Sequence, residues 1–90
     1  MLSYELSHKH RQILAGVFAV PTRANIRFVD IEKLVATFGG KITEGRGSRV
    51  SFELSGQKIF LHRPHPGKEA MKYQVEAVRE FLLKAGVSDE

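Results

Sequence analysis

The sequence contains no cysteine. That excludes a disulfide framework and a zinc–thiolate site, and it suits a reducing compartment. No apolar run is long enough to cross a bilayer. The opening residues, Met1 to His8, lack the basic-then-apolar plan of a secretory leader, so a cytoplasmic location is expected and no membrane role. There is no internal repeat, no low-complexity stretch and no evident interdomain linker. Nucleotide hydrolysis is disfavoured because the one glycine-rich segment, Gly45-Arg46-Gly47-Ser48, lacks P-loop spacing. No nucleophile elbow surrounds Ser48, Ser51 or Ser55. His8 and His10 lie two apart on a predicted helix and point in different directions, a poor metal pair. No metal site and no cofactor are expected.

What is present suits a small folded domain. The chain has 90 residues, 42% hydrophobic and 27% charged, which is ordinary for one globular unit with a small core. The formal net charge is +4. From Lys41 to Lys72 seven basic residues (Lys41, Arg46, Arg49, Lys58, Arg63, Lys68 and Lys72) stand against three acids, Glu44, Glu53 and Glu69. Seven minus three equals the whole excess, and the flanks balance. A concentrated excess is the footprint of a polyanion binder.

Periodicity predicts the elements. His10, Ile13, Leu14, Val17 and Phe18 recur at helical spacing after Ser7, a plausible N-cap. Pro21 lies at or beyond that helix's end. Phe28, Ile31, Leu34, Val35 and Phe38 line a second helix, stopped by Gly39-Gly40. Lys41 to Glu44 is a short strand with Ile42 inward. Arg49 to Leu54 and Gln57 to His62 alternate around Ser55-Gly56, a hairpin signal. A turn over Arg63 to Gly67 precedes a last helix, about Tyr73 to Ala85, with Val75, Val78, Phe81, Leu82 and Ala85 as its buried stripe. The expected fold is α+β: a three-stranded antiparallel sheet with helices on one face, in the order α-α-β-β-β-α.

A two-residue turn fixes the register. Leu54 then opposes Gln57, Phe52 opposes Ile59 and Val50 opposes Leu61, and these make most of the apolar face. The other face pairs Glu53 with Lys58, Ser51 with Phe60 and Arg49 with His62, with Lys41 and Thr43 expected beside them. Cations beside an aromatic ring suit RNA, because phosphates meet the cations and an unpaired base stacks on the ring. The alternative is that the first helix covers this face and Phe60 is core.

The run Gly47-Ser48-Arg49-Val50-Ser51-Phe52, then a second strand, then His65-Pro66-Gly67-Lys68-Glu69 and the closing Leu83-Lys84-Ala85-Gly86-Val87, resembles the HicA-type (YcfA-like) toxin family. The resemblance covers roughly Ile26 to Val87. It divides the chain into a helical extension, 1–25, and a HicA-like domain, 26–90. It implies a fold like a double-stranded-RNA-binding domain. It also implies a ribosome-independent, metal-independent cleavage of mRNA, neutralised by a cognate HicB-type antitoxin. One position departs: the family's catalytic histidine follows the glycine–serine pair, and here Arg49 stands there. Arginine keeps its proton and is a poor general base.

RNA supplies its own nucleophile, the 2′-hydroxyl. Cleavage needs a base for that hydroxyl, a cation for the phosphate and an acid for the leaving oxygen. Histidine serves either proton role and arginine grips phosphate with two donors. The catalytic candidates are therefore His62 as base or acid, Arg49 as phosphate clamp and His65 as second titrating group. The RNA-binding candidates are Lys41, Arg46, Ser48, Lys58, Phe60, Arg63, Lys68 and Lys72. Two other readings stay open: an RNA-binding module without catalysis, and a protein-interaction domain whose basic face meets an acidic partner.

Overall fold

A computed structural model describes residues 6–88. The first five positions of the 1–25 extension and the last two of the 26–90 segment lie outside the described residues.

Helix α1 runs His8–Val17, and the Ser7 hydroxyl accepts the His10 N–H at 3.1 Å. That satisfies one of the donors every helix start leaves open. Helix α2 spans Phe28–Thr37 and has no capping side chain. Its first N–H, from Phe28, goes instead to the carbonyl of Lys68 at 2.9 Å, while Ala70 N–H reaches the carbonyl of Ile26 at 2.7 Å. The His-Pro-Gly-Lys-Glu turn is thus fastened to the start of α2. Gly40 ends that helix closely, since a Cβ there would sit 2.5 Å from Val35 Cγ1.

Strands β1 (Lys41–Glu44), β2 (Arg49–Leu54) and β3 (Gln57–His62) form an antiparallel sheet in the order β1-β2-β3. The β2–β3 register is the expected one at every pair, from Leu54↔Gln57 to Arg49↔His62. Ser55 and Gly56 both take positive φ, 49° and 79°, as a two-residue type I′ turn requires. Helix α3 covers Lys72–Lys84. It begins one residue before the expected start.

The element order is α-α-β-β-β-α, and α2 and α3 pack against the sheet. Three rings run through the layer between them. Phe28 lies 6.0 Å from Phe52, and Phe52 lies 6.4 Å from Phe81, centroid to centroid. Ile31, Leu34, Val50, Val75, Val78 and Leu82 complete the fully buried centre. This is the architecture of a double-stranded-RNA-binding-like domain.

Helix α1 packs on α2 and α3, and Leu14 and Val17 belong to the same core. Arg79 of α3 holds its C-terminal end. Its guanidinium donates to the carbonyls of Val17 (2.9 Å) and Ala19 (3.1 Å) and to the Thr22 hydroxyl (3.1 Å). Those carbonyls have no helical partner, so a half-buried fork of donors is well used there.

Candidate functional site

The side of the sheet away from α2 and α3 presents Lys41, Glu53 and Lys58 in one row, Thr43, Ser51 and Phe60 in the next, and Arg49 with His62 in the last. Phe60 is 66% exposed, so α1 does not cover this face and Phe60 is not core. Lys58, opposite Glu53 in register, makes no ion pair with it. Its ammonium sits 5.3 Å from the centroid of the Phe60 ring two residues along the strand, within reach of the ring's negative face. Ser51 beneath them is buried.

Arg49 and His62 form the last pair of the hairpin. Counting from the turn, pairs alternate between bonded and non-bonded. The bond from Arg63 N–H to the Ser48 carbonyl at 2.8 Å closes the next pair. Arg49 and His62 therefore occupy a non-hydrogen-bonded pair, in which opposed side chains approach most closely. The loop before Arg49 folds back on it. Gly45 N–H donates to the Arg49 carbonyl at 2.9 Å and Arg49 N–H to the Arg46 carbonyl at 3.1 Å. A Cβ on Gly45 would lie 3.4 Å from Cβ, Cγ and Cδ of Arg49, so the arginine stem rests on this glycine.

His62 is held from two sides. The Ser48 hydroxyl lies 3.3 Å from its Nδ1, which leaves Nε2 as the outward nitrogen. Its carbonyl accepts from Gln74 Nε2 at 2.7 Å, while Gln74 Oε1 accepts the Met71 N–H at 3.0 Å. Gln74 is 1% exposed. One buried amide thus joins the end of β3 to the first turn of α3. Sequence reasoning missed Gln74. The spacing of Met71 and Gln74 is that of the reaching-back half of a capping box and was its one signal.

Arg63 is committed elsewhere. Its Nε donates to Glu32 at 2.9 Å and its other nitrogens lie 2.7 Å from Glu32 and 3.1 Å from Glu44. Hydrogen bonding to Glu32 first, then to Glu44, raises the guanidinium above its ordinary range. The fork ties the end of β3 to α2 and β1. A phosphate at Arg63 would compete with two carboxylates.

The remaining candidates lie around this centre. Lys41, Arg46, Lys68 and Lys72 are exposed on β1, the 45–48 loop, the 63–70 turn and the first residue of α3. His65 is exposed in the turn, with no hydrogen-bond partner among the described residues. The structure brings Ser48, Arg49, Lys58, Phe60 and His62 onto one face, whereas Lys68 and Lys72 belong to the helix side. Among the described residues no three histidines or carboxylates cluster as metal ligands, and no helix is long and apolar enough to cross a membrane.

A family model described as "HicA toxin of bacterial toxin-antitoxin" matches residues 29–87. No curated protein and no solved structure matches the chain.

Proposed function

The chain belongs to the HicA toxin family of bacterial toxin–antitoxin systems, and from that premise we propose that it is a metal-independent endoribonuclease acting on mRNA in the cytoplasm. A HicB-type antitoxin restrains it. An acidic partner laid on the basic sheet face would mask charge and access together.

The observation that carries this reading is the Arg49–His62 pair, with Ser48 on Nδ1 of the histidine. In the tautomer in which Nδ1–H donates to Ser48, Nε2 carries a lone pair toward solvent. It takes the proton of a 2′-hydroxyl as that oxygen forms its bond to phosphorus. The bond from phosphorus to the 5′-oxygen then breaks, and that oxygen takes a proton from a second acid. His65 is the candidate for this role. Arg49 grips two phosphate oxygens as negative charge builds on them. Phe60, with Lys58 above it, offers an unpaired base a ring to stack on. Lys41, Arg46, Lys68 and Lys72 add sequence-independent phosphate contacts.

The second reading, an RNA-binding module without chemistry, is favoured by Arg49 itself, which stands at the family's catalytic histidine position and accepts no proton. Incubating the purified chain with mixed-sequence RNA in EDTA separates the two. Cleavage supports the nuclease, and salt-sensitive binding without cleavage supports the module.

A further inference from the structure

The charge balance of the flanks hides a second basic region. Between residues 6 and 29 there is no aspartate or glutamate, while Lys9, Arg11, Arg23 and Arg27 are present. Of the acids that offset them only Glu5 comes before; the rest run from Asp30 and Glu32 onward into α3 and the C-terminus.

The fold gathers three of these cations. Lys9 of α1, Arg23 of the connecting loop and Arg27 before α2 line one cleft of about 560 Å³. Arg23 and Arg27 are exposed, and neither side chain has a hydrogen-bond or ion-pair partner among the described residues. Lys9 lies 3.7 Å from Asp30, the one acid on the lining. Asp30 is 14% exposed and sits in the first turn of α2, where a carboxylate offsets the helix's positive end. So long a pair at an exposed lysine restrains it little, and the ammonium keeps donors for another ligand.

Arg27 also lines a second cleft, of about 420 Å³, with Lys68, Pro64 and Arg63. The backbone of Arg27 forms an isolated antiparallel β-bridge with Glu69, directly after Lys68. Arg27 lines both clefts, and Arg63 on the second follows His62 in the chain. Arg79 fixes α1 and its loop to α3, so the groove is part of the rigid fold.

We infer that the groove between α1 and α2, lined by Lys9, Arg23 and Arg27, is a second RNA-binding site that grips the phosphodiester backbone of a strand whose other part lies at the sheet face. This rests on the RNA reading above and extends it to a segment outside residues 29–87. Three phosphate contacts raise affinity without reading sequence, and they favour long RNA over short.

The test uses the full chain carrying His62→Ala, so that RNA is bound and not cut. Affinities for mixed-sequence RNA of about 4 and about 14 nucleotides, bracketing the site size of a small domain, are measured against salt. The comparison variant adds Lys9→Gln, Arg23→Gln and Arg27→Gln, with circular dichroism as the check on folding. The expected result is unchanged affinity for the short RNA and a loss of about tenfold or more for the long one at low salt. The slope of log K against log salt should become shallower by about 2, from roughly 0.7 per phosphate contact. Arg23→Lys with Arg27→Lys should keep the parental slope. Unchanged affinity and slope on the long RNA would overturn this site alone while leaving RNA action at the sheet intact. Polyglutamate is titrated beside the RNAs, and loss of its binding in the variant with RNA binding unchanged would overturn the site in favour of an acidic protein. Failure of the parent to bind either RNA would overturn both this site and the reading it rests on.

Discussion

Arg49 and His62 face each other across the last pair of the β2–β3 hairpin, a non-hydrogen-bonded pair, the kind in which opposed side chains approach most closely. The pairing sets a fixed cation beside a group that exchanges protons. Arg49→Ala should lower RNA cleavage by about a hundredfold, the usual loss when one donor to a charged transition state is removed. Arg49→Lys should recover part of this, because an ammonium supplies the charge without the two-pronged fork. Initial rates on one RNA with all three proteins check it. An unchanged rate for Arg49→Ala would remove Arg49 from the chemistry.

Phe60 is exposed and carries a lysine over its ring, so its replacement should cost binding rather than folding. Phe60→Ala should weaken single-stranded RNA affinity roughly tenfold, in line with stacking energies of about 1–3 kcal/mol per base. Stability should change by no more than about 0.5 kcal/mol. Phe60→Tyr should bind as the parent does. Fluorescence anisotropy with a labelled RNA, beside a urea titration, reads both quantities.

Gln74 is a stability prediction. Gln74→Leu keeps the volume but strands the His62 carbonyl and the Met71 N–H. The expected loss is about 2 kcal/mol, the usual penalty for unsatisfied buried polar groups. For a domain of this size that lowers Tm by on the order of 10 °C. Scanning calorimetry would show it, and a Tm equal to the parent's would mean that water replaces the amide freely.

Arg63 bears on pH. Its pKa is raised in the folded protein by Glu32 first and Glu44 second. A raised base contributes its stabilisation in full below its unfolded pKa and loses it only as pH climbs through the folded value. Both lie far into alkali. Arg63→Met should therefore lose about 1–2 kcal/mol, and the difference from the parent should stay constant from about pH 7 to about pH 10. Denaturant titrations across that range check it. A difference that shrinks by pH 10 would show that another group sets the effect.

The hairpin was legible because its signals are local. Alternation over Arg49–Leu54 and Gln57–His62 and a turn at Ser55-Gly56 leave one register that gathers the apolar residues on one side. The Arg49–His62 pair followed from it. The partners of Arg63 were not legible, because Glu32 and Glu44 lie 31 and 19 residues away, and nothing in a run of basic residues says which cation a carboxylate will claim. Arg79 reads as one more surface charge, yet three-dimensional packing sets it on the end of α1. The burial of Gln74 contradicts its polarity, and only its two hydrogen bonds explain it. The basic groove was hidden by summing charge over flanks whose acids and bases fold to different places.

In the proposed mechanism His62 moves the proton in RNA cleavage although Arg49 occupies the family's histidine position. Parent and His62→Ala proteins, both shown to be folded, would be incubated with mixed-sequence RNA in EDTA without antitoxin. Cleavage by the parent is expected, with a loss of at least about a hundredfold in the variant and RNA still bound. Equal cleavage by both proteins would contradict it.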